Sequence, residues 1–304
     1  MKAAVLHEYG PPSNLKYEDF PDPKPGEGEV LVRVSAVSIN PIDLKMRSGA
    51  AKDHFPVEFP SPIGRDVAGV VREVGEGVTN FIAGDRVMSY ADKTYAELCV
   101  VKARDLAKIP EGLEITTAAA VPLVSCTGDQ IVRVAAKVEA GQTVLITSAL
   151  GSVGRCAVFA AKEIGAKVIA GVRKKQLDEA RALPGVIDAI AIDDDDALAT
   201  LGLVDAVADT IGGETATKLL AKVKQGGNFG SVLGEPKGTA LHPTVKVTAI
   251  MAKPDPATFV HYGEAIRDGK LTLPIDHMMP LSEAAEAHAI SEKGHLSGKL
   301  ILLA

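Results

Sequence analysis

The chain has 304 residues, 46% apolar and 24% charged, proportions of a globular protein that exclude a disordered or fibrous chain. Its 33 basic and 39 acidic residues leave a net charge of −6 and form no Lys/Arg block, which argues against a nucleic-acid or lipid-surface partner. No apolar run nears the ~20 residues needed to span a bilayer and no secretory leader is evident. The three dispersed cysteines, Cys99, Cys126 and Cys156, suggest no disulfide framework, so a cytoplasmic protein is expected.

The length is about twice that of an ordinary domain of roughly 150 residues, so one large or two ordinary domains are expected. Residues 1–122 read as β-rich: Val30–Ile39 is β-branched and alternating, Asp66–Gly75 repeats the pattern, and the stretches DRVMSYA and TYAELCVV follow, with Gly, Pro and Asp between them. From about residue 123 strands and helices alternate. Thr143–Ala149 is a continuous apolar run of the kind buried on both faces of a parallel sheet. Val153–Gly165 has helical spacing and ends on a glycine stop. KVIAGV, KKQLDEARAL, AIAI, VDAVADTIGG, TATKLLAKVKQGG (as one helix) and NFGSVLG continue the series, which implies a doubly wound parallel α/β sheet. Beyond about residue 250 the sequence predicts helices near Pro256–Asp268 and Leu281–Lys293 and one strand, Leu300–Leu303. That tail is a poor domain alone and is expected to pack on the N-terminal part. The division is then 1–122 with 250–304 as one domain, 123–249 as the other, and the active site in the cleft between them.

The strongest chemical signal is strand–SALGSVG–helix. Gly151 and Gly154 stand in an A-x-G-x-x-G spacing that begins at Ala149. Gly151 lets the backbone approach a pyrophosphate, Gly154 lets the helix pack closely, and the helix start at Ser152 and Val153 offers N–H groups to the anion. A nucleotide-free glycine turn is the bland alternative. In NAD-binding units a carboxylate about 20 residues on holds the ribose 2′-hydroxyl. Here Gly171, 17 residues after Gly154, is followed by Val172, Arg173, Lys174 and Lys175. Cations in that place favour a 2′-phosphate, so NADPH (NADP) is the expected cofactor, unless these side chains merely solvate a helix start.

Taken together, SINPIDLKMRSG (Ser38–Gly49), PIGRDVAGVVREVG (Pro62–Gly75), AGDRV (Ala83–Val87), AAAVPLVSCTGD, AGQTVLITSALGSVG and the terminal SGKLIL resemble a zinc-independent medium-chain dehydrogenase/reductase of the quinone oxidoreductase and alkenal (enone) reductase type. The resemblance covers nearly the whole chain. It implies a split GroES-like β-rich domain around a Rossmann domain, hydride transfer from NADPH to a quinone or to an enone double bond, and a homodimer. Metal-dependent relatives hold zinc with Cys, His and Cys. Here the first position falls in the stretch SIN, Arg65 replaces the His, and Cys126 stands beside Thr127–Gly128, so no metal is expected.

By the same resemblance Asn40 and Asp43 match the family's Asn and its acidic partner. Lys45 stands where many quinone reductases have Tyr, and would act as a cationic oxyanion donor if it points inward. A surface lysine and a loop-holding Asp43 are the alternatives. Thr127 resembles the Thr that contacts the nicotinamide, with a helix-start hydroxyl as the other reading. Asp209–Thr210–Ile211–Gly212 and Val232–Leu233–Gly234 end strands at the edge where ligands sit, and Lys299 resembles a C-terminal Lys that closes on the cofactor. Tyr90 and Tyr95 are candidates to line the pocket, with edge-strand packing as the commoner reading, and Asp193–Asp196 reads as a solvated turn that caps a helix starting near Ala197. Two competitors stay open: an enoyl reductase partner of a carrier-protein pathway, and a non-catalytic NADPH-binding sensor or structural protein.

Overall fold

The computed structural model describes residues 1–294 and 296–304. In chain order, β1 (Lys2–Leu6), β2 (Leu15–Asp19), β3 (Glu29–Ser38), α1 (Pro41–Ser48), β4 (Ser61–Pro62), β5 (Asp66–Val74), β6 (Arg86–Tyr90), β7 (Leu98–Lys102), β8 (Leu106–Lys108), α2 (Ile115–Ala118) and α3 (Pro122–Gln130) come first. Then follow β9 (Thr143–Thr147), α4 (Ser152–Ile164), β10 (Lys167–Val172), α5 (Leu177–Arg181), β11 (Val186–Ala191), α6 (Asp195–Thr200), β12 (Val204–Asp209), α7 (Gly213–Leu220), β13 (Val223–Ser231) and β14 (Lys246–Ala249). The chain ends with α8 (Pro256–Arg267), β15 (Ile275–Pro280), α9 (Ala284–Lys293) and β16 (Lys299–Leu303). Two compact units result: Met1–Leu123 with Pro254–Ala304, and Val124–Lys253.

The first unit is β-rich. β3, the long alternating strand, sits at its centre and pairs antiparallel with β5, β7 and β16. The order β15-β16-β3-β5-β6-β8 makes the C-terminal segment part of this sheet, while β2-β1-β4 forms a smaller one. Its core gathers Leu6, Val32, Val37, Ile63, Val67, Leu300 and Leu302, all essentially inaccessible.

In the second unit a six-stranded sheet runs β11-β10-β9-β12-β13-β14, with every pair parallel. β9 lies inside it and buries both faces. Val144 and Ile146 pack with the α4 residues Ala157, Ala160 and Ala161, and Leu145 packs with Leu219 and Leu220 of α7. That explains its uninterrupted apolar sequence. α4 stops at Gly165, whose φ of +83° is the left-handed cap that glycine adopts without strain. The α/β class, with a split β-rich part and a doubly wound part, is the one the sequence indicated.

Three local expectations are corrected. The helix expected to run through TATKLLAKVKQGG stops at Leu220, once Leu219 and Leu220 are buried, and Val223 opens β13 beside Val204. The tail contains a second strand, β15, parallel to β16. Its sequence, IDHMMP, lacks alternation because it lies at the sheet edge and is mostly uncovered. Tyr95 lies in a turn, not on an edge strand, and is fully buried.

Candidate active site

Sequence-predicted residues gather in two clusters, one in each unit. In the first unit, Asn40 follows β3 and Pro41 opens α1. Asp43, at the third helical position, accepts the Asn40 backbone N–H at 2.8 Å through Oδ2. The same oxygen accepts the Tyr95 hydroxyl at 3.1 Å, and the other, Oδ1, is buried without a partner among the described residues. Burial is the main cause that pushes the Asp43 carboxyl up to about 7, against the Asn40 N–H, which pulls it down.

The Tyr95 hydroxyl lies 3.2 Å from His288 Nε2. Since that hydroxyl donates to Asp43, it accepts from His288, which places the imidazole proton on Nε2. Burial, with a smaller contribution from the Arg47 charge, pulls His288 down to about 3, so the ring is neutral.

Asp66, first residue of β5, is the second buried carboxylate. Its Oδ2 accepts Ser38 Oγ–H at 2.6 Å and Asn40 Nδ2–H at 2.9 Å, and its Oδ1 accepts the Leu123 N–H at 2.8 Å. Lys299 supplies the counter-charge. Its ammonium donates to Asn40 Oδ1 at 2.7 Å and to the Ile39 carbonyl at 3.2 Å, and lies 3.8 Å from Asp66. Both ends of the Asn40 amide are therefore committed, and a buried ion pair with its hydrogen bonds satisfied fixes the segment after β3.

Lys45 is not brought to this cluster. The buried face of α1 is Asp43, Met46 and Arg47, the i, i+3, i+4 row, and Lys45 is exposed off that row. Lys299, expected on the cofactor, is here spent on Asn40.

Arg65 stands beside the cluster, directly before Asp66, and the Asp43 carboxyl is among the groups that act on its charge. Its guanidinium lies 5.1 Å from the Phe55 ring centroid and 4.9 Å from that of Tyr90, and it pairs with the exposed Asp92. Gly64, just before it, has φ of +102°, and a Cβ there would fall 2.3 Å from the Tyr95 ring. Only glycine fits.

In the second unit the predicted residues converge at the carboxyl ends of β9, β10, β12 and β13. Gly154 is fully buried, and a Cβ on it would lie 2.0 Å from the Ser148 carbonyl oxygen; Ser148 itself has φ of +51°. The turn thus brings the backbone into direct contact with the first turn of α4. Ala149 is buried beneath it, and Gly151, Ser152 and Val153 are half-buried at the helix start, where backbone N–H groups have no intrahelical acceptor.

Gly171 is buried near the end of β10, while Arg173 and Lys174 are exposed just beyond. The Lys174 ammonium is held by Asp194 at 2.7 Å, whereas Arg173 forms no ion pair among the described residues. The acidic run is a cap, as read: Asp194 Oδ1 accepts the Ala197 N–H at 3.1 Å, although α6 starts two residues earlier.

Asp209 ties the strand ends together. Its carboxylate accepts the Thr147 and Ser231 hydroxyls and the Ile211 and Gly212 N–H groups. Thr210 closes back on Thr147 through two bonds, at 2.7 and 2.9 Å. Ile211 and Leu233 are left exposed beside each other, with Val232 half-buried and Gly234 at φ of +93°. Thr127 is buried within α3, five residues after its start, so it is not a helix-start hydroxyl.

Sequence reasoning missed Asp66, Ser38 and His288 in the first cluster and Thr147 and Ser231 in the second, and read Tyr95 as packing ahead of pocket lining. Only Asp66 carried a signal, as the acidic residue directly after Arg65.

The profile described as an alcohol dehydrogenase GroES-like domain matches residues 26–111, and that described as a zinc-binding dehydrogenase matches residues 186–302. A quinone oxidoreductase of Pseudomonas aeruginosa is 30% identical, with 97% of each chain covered. The chain belongs to the medium-chain dehydrogenase/reductase family. A 2-haloacrylate reductase of a Burkholderia species is 28% identical, over 99% of this chain and 98% of the relative. Among solved structures, the Escherichia coli quinone oxidoreductase complexed with NADPH superposes with a TM-score of 0.88 at 26% identity, with 100% of both chains covered. The chain is therefore an oxidoreductase.

Among its described residues this medium-chain dehydrogenase/reductase does not place the side chains for the zinc of its metal-dependent relatives. No group of three His, Cys, Asp or Glu residues is placed to hold a metal ion among the described residues. Arg65, which the family resemblance matches to the His ligand, is a cation lying over the Phe55 and Tyr90 rings and has no lone pair to donate. A dinucleotide fits better. Gly154 lets α4 pack directly on the turn, as the third glycine of a dinucleotide-binding loop does, and the start of α4 presents donors of the right polarity.

Proposed function

We propose that this protein is an NADPH-dependent reductase of quinones and of α,β-unsaturated carbonyl compounds that works without a metal ion. The observation that carries the reading is the turn at Ser148–Gly154, which has no room for a Cβ at Gly154 and leads into the donors at the start of α4. Its quinone oxidoreductase and 2-haloacrylate reductase relatives support the acceptor class, and the NADPH complex of a structural relative supports the cofactor. Bound nicotinamide would supply a hydride to the acceptor, and a proton taken up from solvent completes the two-electron reduction.

The protein's own part is to bind, orient and hold charge. Gly151, Ser152 and Val153 would receive the pyrophosphate. Arg173 would meet the 2′-phosphate, since it carries no ion pair among the described residues and β10 ends without a carboxylate on its own chain segment. Asp209 and Thr210 would hold the β9, β12 and β13 ends in shape beneath the cofactor, with Thr127 on the nicotinamide side. Asn40, fixed by Lys299 and Asp66, and Asp43, which keeps a proton to near neutral pH, would shape the acceptor side as positioning residues. Exposed Lys45 is given no role.

We further propose a homodimer. β14 pairs on one side only among the described residues, which leaves a sheet edge for a second copy. A cytoplasmic location fits three cysteines that are dispersed along the chain and all buried. No helix of the described residues is long and apolar enough to cross a membrane. The test is initial rates of NADPH and NADH oxidation with a benzoquinone and with a short 2-alkenal. Turnover with either acceptor and a preference for NADPH is expected. Thermal stabilisation by NADPH without cofactor consumption would instead favour a binding protein.

A further inference from the structure

Asn40, which by resemblance matches the family's Asn, has both ends of its amide committed. Another polar group must then recognise the acceptor's oxygen atoms, and the first unit holds one with unspent capacity. The Arg65 guanidinium lies over the Phe55 and Tyr90 rings, with Tyr90 also a side-chain hydrogen-bond partner, and these contacts hold it in place. Its side chain is 13% exposed, and Nε is buried without a partner among the described residues. Its Nη1 donates to a carboxylate, that of Asp92, whose side chain is 67% exposed. Asp92 precedes Lys93, a residue with φ of +58°, in a short segment outside the strands.

We propose that Asp92 holds the place of a substrate carboxylate, and that the preferred acceptor is an enone or related electrophile that itself carries a carboxylate, bound by Arg65. This rests on the reductase reading above. Three features support it. A planar guanidinium fork matches a carboxylate in a way a lysine does not. The stacking holds the fork in place before the ligand arrives, so little rotamer freedom is lost on binding. The competing carboxylate, that of Asp92, is solvent-exposed, so an incoming carboxylate exchanges one anion for another without burying a new unpaired charge. The charged groups around Arg65 are accounted for: Asp66 is satisfied by Ser38, Asn40 and the Leu123 N–H, with Lys299 close by, and Asp43 keeps its proton to near neutral pH. Asp92 is thus the carboxylate free to be displaced.

The test uses two probes that differ by one charge, 4-oxo-2-pentenoate and its methyl ester, with the intact enzyme and NADPH. The wild type is expected to favour the acid at least tenfold in kcat/KM. Arg65→Gln is expected to abolish that preference, and Asp92→Asn to lower KM for the acid severalfold while moving KM for the ester little. Equal acid-to-ester ratios in the wild type and Arg65→Gln would overturn the proposal. So would an unchanged KM for the acid in Asp92→Asn, a substitution at an exposed side chain that keeps the test valid should Arg65→Gln fold poorly. The saturated analogue, 4-oxopentanoate, separates substrate from inhibitor. If it inhibits through Arg65 while the unsaturated acid is not reduced, the site is an inhibitory anion site and the proposal falls. If the wild type reduces neither probe nor a benzoquinone, the reductase reading itself fails, and that result is distinct from loss of the acid preference alone.

Discussion

Replacing Asp43 with Asn removes one of two buried titrating groups that pull stability in opposite directions with pH. The folded-state value of Asp43 is about 7 against an ordinary 3.8, so between roughly pH 4 and 7 the folded protein keeps a proton that the unfolded chain has released. Stability from this residue therefore falls as pH rises through that window. At about 1.4 kcal/mol per pH unit, the loss between pH 5 and pH 8 is about 3 kcal/mol. His288 has the opposite sign: its folded value is about 3 against 6.5, so the unfolded chain holds the extra proton and stability rises with pH up to about 6.5. Its gain over the same interval is about 2 kcal/mol. In the wild type the two nearly cancel. In Asp43→Asn the amide oxygen still accepts the Asn40 N–H and the Tyr95 hydroxyl, and the His288 contribution is left alone. Urea denaturation at pH 5 and pH 8 reads the difference directly. The change in unfolding free energy over that interval should be more positive in the variant by about 3 kcal/mol. Parallel pH profiles for the two proteins would refute the assignment of a retained proton to Asp43.

Gly154→Ala should lower Tm by several degrees and weaken NADPH binding at least tenfold, because the new methyl would lie 2.0 Å from the Ser148 carbonyl oxygen; calorimetry and cofactor fluorescence titration check both. Arg173→Ala should raise KM for NADPH about tenfold or more and leave KM for NADH nearly constant, since a charged hydrogen bond to the 2′-phosphate contributes roughly 1.5–3 kcal/mol. Equal effects on both cofactors would remove Arg173 from the 2′-phosphate. Prolonged dialysis against a chelator should leave turnover unchanged, because no group of three His, Cys, Asp or Glu among the described residues is placed to hold a zinc ion; activity restored only by added zinc would contradict this.

The parts of this molecule that were legible in its sequence are those encoded by neighbours. The apolar run of β9 declares burial on both faces, and the glycines after it must stand at fixed offsets for helix α4 to pack against the turn. The acidic Asp193–Asp196 run reads as a cap because a cap is a bond across three residues. The acceptor-side cluster is different in kind. Lys299 reaches Asn40 across 259 residues, and His288 reaches Tyr95 across 193. Nothing local distinguishes His288 from any other polar residue on an amphipathic helix, and Tyr95 resembles ordinary packing until the fold sets it against Asp43. Lys45 misled for a related reason. A helix of eight residues beginning at Pro41 was not recognised, and without it the row that turns Asp43, Met46 and Arg47 inward and Lys45 outward is invisible.

The central claim is hydride transfer from a nicotinamide to an electrophilic acceptor, and isotope transfer tests it most directly. The protein would be incubated with NADPH carrying deuterium at the transferring position of C4, in each of its two stereoisomers, and with a short 2-alkenal. Product would be examined by mass spectrometry and proton NMR. One stereoisomer is expected to deliver a single deuterium to the β-carbon of the saturated aldehyde, with the α-carbon proton coming from water. Saturated product without deuterium from either isomer, or label on the carbonyl carbon, would contradict the account.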